Sequence, residues 1–474
     1  MLTRRRFVEY SALSSAMLVS RPLLRSGWAQ TPGQRPLRLA ILGSVYRHQS
    51  SMQTLADRFL VGYPYDGEWH MPNVKVVSVY VDQLERQADA APSPYQLAMT
   101  GAKVAPSSAA KGIAGGLGRD RTVGAQPAAE KTEPTSDLSR ARSQQFGFRL
   151  CSNIPEALRC GGDRIAVDAV VTIVEQDDYP SNDKGQILLP SYDFFQQCVQ
   201  VFEDEGHAVP YFNHKQLSFS FEQAQTMVKT ANRLRFPLLA GSSLPVTWRL
   251  PDVDIPLGAE VQEAVMVGAG RYDGMDFDAL EAMQCMLERR RGGETGVKAV
   301  QLLEGDDVWA AGKAGRWSSD LLSSALSRSD TPLGLTVLDG RTQDLVASGV
   351  LPQLVKDPAA YCIEYHDGTR ATLLMLNGAI MDFNISARVA GHGLVSTQFF
   401  LPPAPNDTYS ACLAAKIEQM LQSRNATYPV ERTLLTTGLL EACLNSRHRL
   451  NQRLETPQLA VIYQPPAESQ YART

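Results

Sequence analysis

Much that would assign this chain at a glance is missing from it. Its 474 residues contain no uninterrupted apolar run of about 18 or more, so a membrane-spanning helix is not indicated. Neither sign of charge prevails: 46 basic residues against 50 acidic ones leave a net charge of −4. That balance offers no positive stripe for a nucleic acid and no attraction to an anionic membrane surface. The seven cysteines are scattered, with no CxxC pair and no zinc-ligand spacing, which speaks against a structural zinc and a disulfide framework. A GxSxG elbow for a serine nucleophile is absent, and so is any internal repeat. What remains is a globular composition, 44% hydrophobic and 20% charged, at a length that suits two or three domains with a core each.

The N-terminus departs from this even composition. Arg4-Arg5-Arg6-Phe7 fits the twin-arginine export pattern, and an apolar stretch follows over residues 11–20, then Arg21, Arg25 and the small residues around Gly27-Trp28-Ala29. Basic, apolar and cleavage regions in that order predict a signal peptide over residues 1–30, with the mature chain starting near Gln30. The alternative is a basic start on an ordinary helix. Export makes the twin-arginine translocase a partner and the periplasm or the exterior the destination. A chain that folds before it crosses the membrane does so in a reducing compartment, so its thiols are expected to act as small core hydrophobes.

Residues 37–43 (LRLAILG) are a short apolar run closed by glycine and predict a buried first strand. Residues 74–81 (VKVVSVYV), rich in β-branched side chains, predict the second, with a helix from Ser51 between them. Residues 84–136 are rich in Ala, Pro, Gly and Ser and poor in aromatics; such a segment cannot bury enough surface to order itself, and a disordered insertion is expected. Strands are then predicted at 148–151, 165–174, 208–212 and 236–240, and helices at 138–145, 154–159, 191–205 and 221–234. This alternation predicts an α/β domain over 37–243, a doubly wound parallel sheet of the Rossmann type with its ligand crevice at the carboxyl ends of the strands. From residue 244 the pattern changes. Strands at 260–268 and 295–303 flank a helix at 276–290, Asp367-Gly368 and Asn377-Gly378 mark tight turns, and helices at 409–421 and 431–445 precede a last strand at 458–463. The second part, 244–465, is expected to be an α+β domain with a large, mostly antiparallel open sheet.

Candidate site residues follow from the crevice. A nucleotide-binding first turn needs GxGxxG, whose glycines let the backbone approach a pyrophosphate at a helix N-terminus. Here the turn reads Gly43-Ser44-Val45-Tyr46-Arg47-His48. Ser44, Arg47 and His48 are expected to meet a phosphate in place of the missing glycines; the alternative is an ordinary turn that binds no dinucleotide. Asp82, closing the second strand, is placed to accept ribose hydroxyls, although further from Gly43 than the usual ~20 residues. The polar loop after the fourth strand offers Glu175 to a cofactor and Tyr179 and Asn182 to a substrate, or is simply solvated. The next strand runs into His214-Lys215-Gln216, where a half-shielded lysine can exchange protons with a hydroxyl or carbonyl, against its ordinary reading as a surface charge. Trp248 and Arg249, after the sixth strand, are candidates to line a pocket for a polar ligand, against hinge or packing roles. The acidic residues following Glu175 have no second ligand cluster, so no metal site is expected.

This order of features resembles the Gfo/Idh/MocA family of glucose–fructose oxidoreductase, inositol dehydrogenase and their relatives, over about residues 37–300 and the later sheet. The resemblance implies NAD or NADP as cofactor, a carbohydrate-like substrate such as a sugar or polyol, and a homo-oligomer formed through the C-terminal sheet. It also implies twin-arginine export with the cofactor already bound, as in several members. The family's Glu-Lys-Pro triplet corresponds to His214-Lys215-Gln216, which keeps the lysine that assists proton transfer and touches the cofactor. Its Gly-x-His-x-x-Asp motif corresponds to Asp276-Phe277-Asp278-Ala279-Leu280-Glu281, which puts Asp278 at the position of the catalytic histidine. An aspartate, with an unperturbed pKa of about 3.9, serves as a base at lower pH, and its other reading is a charge favoured in the first turn of a helix. The expectation is an exported oxidoreductase acting on a sugar or polyol. The alternative is a non-catalytic ligand-binding protein on the same fold.

Overall fold

A computed structural model describes residues 35–84, 137–175, 179–270, 273–332, 344–402 and 407–473. The expected signal peptide, and the expected insertion from residue 85 on, lie outside the described residues.

Apolar runs bounded by turns build the first sheet. Its strands are β1 (Leu37–Gly43), β4 (Val74–Val81), β5 (Arg149–Cys151), β6 (Ala169–Ile173), β7 (Tyr211–His214) and β8 (Leu238–Gly241), in the spatial order β5-β4-β1-β6-β7-β8. All five pairings are parallel, so both faces carry helices and the central strand β6, AVVTI, is buried at every position. Around it lie α1 (Ser51–Val61), α2 (Ser139–Phe146), α3 (Ile154–Arg159), α4 (Ser191–Glu205) and α5 (Phe221–Leu234). Local chemistry sets their starts: Ser50, Asn153 and Ser220 accept from the N–H groups of Gln53, Glu156 and Gln223. The strand expected at 165–174 shortens to β6 because Ala166 N–H turns back to the Leu158 carbonyl and the Asp168 carboxylate accepts from Arg38 N–H instead. A two-stranded hairpin, β2 (Tyr63–Tyr65) with β3 (Glu68–His70), was not expected; its signal was present in Asp66-Gly67, both of which hold positive φ at the turn.

The second sheet has eight strands. They are β9 (Arg249–Leu250), β10 (Val261–Gly268), β11 (Val297–Glu304), β12 (Ala359–Tyr365), β13 (Arg370–Met375), β14 (Phe383–Val389), β15 (Gly393–Phe399) and β16 (Leu454–Glu455). Their order is β16-β11-β12-β13-β10-β14-β15-β9, antiparallel except between β10 and β13. Asp367-Gly368 closes the β12–β13 hairpin as expected, but Asn377-Gly378 does not return β13 onto β14, because β10 lies between them. The strand expected at 458–463 is a short 3-10 turn at Pro457–Leu459, and pairing at this edge falls instead to β16.

Leu37–Thr474 form one compact unit. Between the sheets lie α6 (Asp273–Leu287) and α11 (Val430–His448), whose apolar faces share a core with β10–β14 and with α4 and α5. The far face of the second sheet packs, over β10–β13, against the chain's own α7 (Asp306–Lys313), α8 (Ser319–Leu326) and α9 (Leu351–Leu354). The open face expected to serve oligomerisation is therefore largely covered by this chain itself. The boundary at residue 244 is not a boundary in space either: α10 (Tyr409–Ser423) packs on α1 and completes the core of the first sheet. The C-terminal tail straps the two sheets. Pro466 O accepts from Arg289 at 3.4 Å, the Tyr471 ring lies 4.0 Å from the Arg249 guanidinium carbon, and Ala472 N–H donates to Val246 O at 2.9 Å. Six of the seven cysteines are buried and all are free thiols, as a core role requires.

Candidate functional site

The carboxyl end of β7 supplies the site. Lys215 follows it in a left-handed conformation (φ 61) and is held there by its N–H, which donates to Gly241 O at 2.9 Å. Its ammonium donates to Asp278 Oδ2 of α6 at 2.9 Å and approaches Gly274 O at 3.4 Å. The pair thus joins the first sheet to a helix of the second half. It lines a cavity of about 60 Å³, with His214 and Ser242 beside it, Ser51 and Thr54 of α1 opposite, and Met275, Phe383 and Leu401 as the apolar wall.

Burial sets the electrostatics. It pushes the Asp278 carboxyl above its ordinary range, with Lys215 and Ser242 opposing. It also pushes His214 down to about 3, and the Lys215 charge adds to that, so the imidazole is neutral at any working pH. His214 Nδ1, Asp278 Oδ1, Asn213 Oδ1 and both side-chain polar atoms of Gln216 have no hydrogen-bond partner among the described residues, although all four side chains are buried. Buried polar atoms need partners, so this end of β7 is chemically suited to a hydroxylated ligand or ordered water.

Glu281, one turn after Asp278, was not singled out from the sequence. It is fully buried; Oε2 accepts from Ser242 N–H at 2.6 Å and from the Ser242 hydroxyl at 2.9 Å. The Thr433 hydroxyl lies 2.8 Å from both Glu281 Oε1 and Ala240 O, and one hydroxyl proton cannot serve two acceptors. The two contacts are satisfied together when Glu281 carries a proton. Burial agrees, raising this carboxyl to about 7 against the opposing Ser242 N–H and Arg432. The spacing of Asp278 and Glu281 places both on one helix face and was readable, whereas the Thr433 contact spans 152 residues and was not. Gly241 makes room for this group, since a Cβ there would lie 2.4 Å from Glu281 Oε1 at a φ of +132. Gly241→Ala is expected to cost roughly 1–3 kcal/mol, as overpacking does, measured as a lowered denaturant midpoint.

The other sequence-predicted residues divide. Gly43 keeps its glycine for packing: a Cβ would stand 2.3 Å from Met52 Sδ of α1. Ser44 is fully buried and its hydroxyl accepts from Glu175 N–H at 3.1 Å, so it does not face a phosphate as expected. Arg47 is half-buried and His48 exposed at the mouth of the turn. Asp82 is exposed, and its two oxygens accept from Tyr80 at 2.8 Å and Tyr179 at 2.9 Å. Tyr179 is thus engaged near the expected ribose position rather than in the cavity beside Lys215. Asn182 is a turn residue, its Oδ1 accepting from Lys184 and Gln186 N–H. Trp248 packs against the core of the first sheet. Arg249 is buried in an ion pair with Asp254 at 2.9 Å and stacks on Tyr471. The expected pocket-lining role of Asn182, Trp248 and Arg249 is corrected to a structural one. Among the described residues no group of three or more His, Cys, Asp or Glu side chains is arranged to hold a metal.

The groups a dinucleotide needs are present: the N-terminus of α1 for a pyrophosphate, Asp82 for ribose hydroxyls, and the Lys215–Asp278 cavity beyond them. They fit the group chemically, with one reservation in geometry. Glu175 Oε2 already accepts from Ser51 N–H at 2.7 Å at that helix N-terminus.

A parallel six-stranded sheet of this order, followed by a large mixed sheet, is a two-part fold that this chain shares with solved structures, of the kind that the sequence resemblance implied. Among solved structures, GenD2 from gentamicin A biosynthesis, determined in complex with NAD, is similar over 89% of this chain and 97% of its own at a TM-score of 0.50, with 13% identity. Myo-inositol 2-dehydrogenase from Lactobacillus plantarum matches over 89% of this chain and 99% of its own, at 10% identity and a TM-score of 0.46. Myo-inositol dehydrogenase from Lactobacillus casei, in complex with NAD(H) and myo-inositol, matches over 88% and 96%, at 9% identity and a TM-score of 0.47. Likeness at this identity speaks to the fold. No family model matches the sequence, and no curated protein matches it either.

Proposed function

We propose that the chain is an oxidoreductase of the CH–OH class that uses NAD or NADP and acts on a sugar or polyol. The observation that carries this reading is the Lys215–Asp278 pair, part-buried in a cavity that both halves of the chain line. The fold is that of GenD2, whose structure holds NAD.

Asp278 keeps one oxygen on Lys215 and has no hydrogen-bond partner at Oδ1, so a substrate hydroxyl can donate there. Burial raises this carboxyl toward the working pH, which is what a general base requires. Lys215 fixes the carboxylate and offers an ammonium proton to the same substrate oxygen, whereas neutral His214 contributes a hydrogen bond without charge. A bound nicotinamide supplies the hydride acceptor. Arg47, His48 and the α1 N-terminus are the groups to hold its phosphates, and Asp82 those to hold a ribose.

The reading also places the protein in the periplasm or outside the cell after passage through the twin-arginine translocase, supported by Arg4-Arg5-Arg6-Phe7 and the apolar stretch behind it. Association of copies through the second sheet belongs to the same reading, with the exposed start of β15, at Gly393 and Leu394, the part of that sheet left open beside α8. The test of the chemistry is direct. The full chain is offered NAD or NADP at millimolar concentration with a panel of polyols and aldoses, and formation of reduced nicotinamide is followed by absorbance. Turnover on at least one polyhydroxylated compound is expected. A chain that neither reduces nor binds either dinucleotide is the alternative, a ligand-binding protein on the same fold.

A further inference from the structure

The turn from β1 to α1 holds a contact that an ordinary helix start does not need. The local cap is already complete: the Ser50 hydroxyl accepts from Gln53 N–H and from Arg47 N–H, each at 3.1 Å. The first N–H left over, that of Ser51, is nonetheless taken at 2.7 Å by Glu175, which lies 124 residues away at the end of β6. Glu175 is set in place from its own backbone, whose N–H donates to the buried Ser44 hydroxyl at 3.1 Å. Four residues on, Tyr179 donates to Asp82 at 2.9 Å, so the same stretch of sequence also engages the acidic residue placed for a ribose.

A helix N-terminus at the end of the first parallel strand is where a Rossmann sheet receives a pyrophosphate, because unpaired N–H groups and the helix dipole both favour an anion. A carboxylate is an anion of the same sign, and it reaches the same donor. We propose that Glu175 is a cofactor-affinity determinant: its carboxylate holds the pyrophosphate position on α1 and has to be displaced for a dinucleotide to seat. The inference rests on the dinucleotide reading above.

Binding without turnover tests it. Calorimetric titrations of the full chain with ADP, which carries the pyrophosphate without the nicotinamide, and with NAD are compared for wild type, Glu175→Gln and Glu175→Ala. Glu175→Gln keeps an acceptor for Ser51 N–H and removes the charge; Glu175→Ala removes both. Both variants are expected to bind ADP and NAD at least about tenfold more tightly than wild type, equivalent to about 1.4 kcal/mol. A thermal melt of each variant verifies folding, and Glu175→Gln carries the test should Glu175→Ala fail to fold. Equal or weaker binding by the folded variants, with wild type binding measurably, overturns the role of Glu175 and leaves the oxidoreductase reading standing. If no form of the chain binds ADP or NAD, both fall together.

Discussion

Replacing Lys215 with methionine is expected to lower turnover by about 10²–10⁴-fold, the range over which positioned proton transfer acts, while the melting temperature moves by only a few degrees. The lysine ammonium donates to Asp278 Oδ2 at 2.9 Å within a cavity of about 60 Å³, where few waters are available to replace it. Without that cation, only Ser242 opposes burial at Asp278, and its carboxyl moves further up, because the attraction to the ammonium is gone. The carboxyl then takes a proton rather than remaining as an isolated buried charge, which is why the fold survives and the chemistry does not. Two measurements check this: kcat/KM against pH, whose acidic limb should shift upward in Lys215→Met, and the thermal midpoint. An unchanged pH profile with a full loss of folding would assign the pair to stability instead.

Glu281→Gln is expected to abolish most of the loss of stability that this carboxyl causes between acid and neutral pH. The folded carboxyl sits at about 7 against an ordinary value of 4.5, so the folded state holds this proton more tightly than the unfolded chain does. The resulting stabilisation is fully present below about pH 4.5, declines as the pH rises, and is gone above the folded value near 7. At 1.36 kcal/mol per pH unit, the shift corresponds to roughly 3 kcal/mol. Glutamine reproduces the protonated form: its amide N–H donates to the Thr433 hydroxyl, which passes its own proton to Ala240 O, while its oxygen accepts from Ser242. The variant should therefore match wild type near pH 5 and exceed it by up to that amount near pH 8, in urea unfolding followed at both values. A variant less stable than wild type at both pH 5 and pH 8 would show that burial does not raise this carboxyl in the folded protein.

The parallel sheet was legible because each of its strands carries its own evidence. LRLAILG and AVVTI are apolar at nearly every position, as strands covered on both faces must be, and α1, α3 and α5 start at Ser or Asn caps. The bounds of α3, α4 and α5 agree with the periodicity residue for residue. The second sheet was legible only in its hairpins. Nothing near β13 announces that β10, more than a hundred residues earlier, will insert beside it, since that choice is made by non-local packing. In the site, Lys215 was legible from its place at the carboxyl end of a strand and Asp278 through the family's motif, and the distance between them required the fold. Asn182, by contrast, was misread against its own neighbours: Asn182-Asp183-Lys184-Gly185 is a turn sequence, and asparagine there bonds its own backbone. Arg249 reads as a ligand-binding charge until Asp254 and Tyr471 are seen to enclose it.

The packing of α10 on α1 bears on the order in which the molecule is made. The first sheet is synthesised early, but one of its faces is finished by residues 409–423, and Tyr63 finds its hydrogen-bond partner Glu418 355 residues further along the chain. Tyr471 and Ala472 close the strap later still. Until residues 409–423 leave the ribosome, the nascent chain exposes an apolar sheet face that α1 covers only in part. Contacts this remote in sequence form slowly, and domains that complete themselves N-terminus first do not face the same delay. The first sheet therefore completes its core only once residues 409–423 have emerged, and a truncation that removes them should leave the first half aggregation-prone rather than merely inactive.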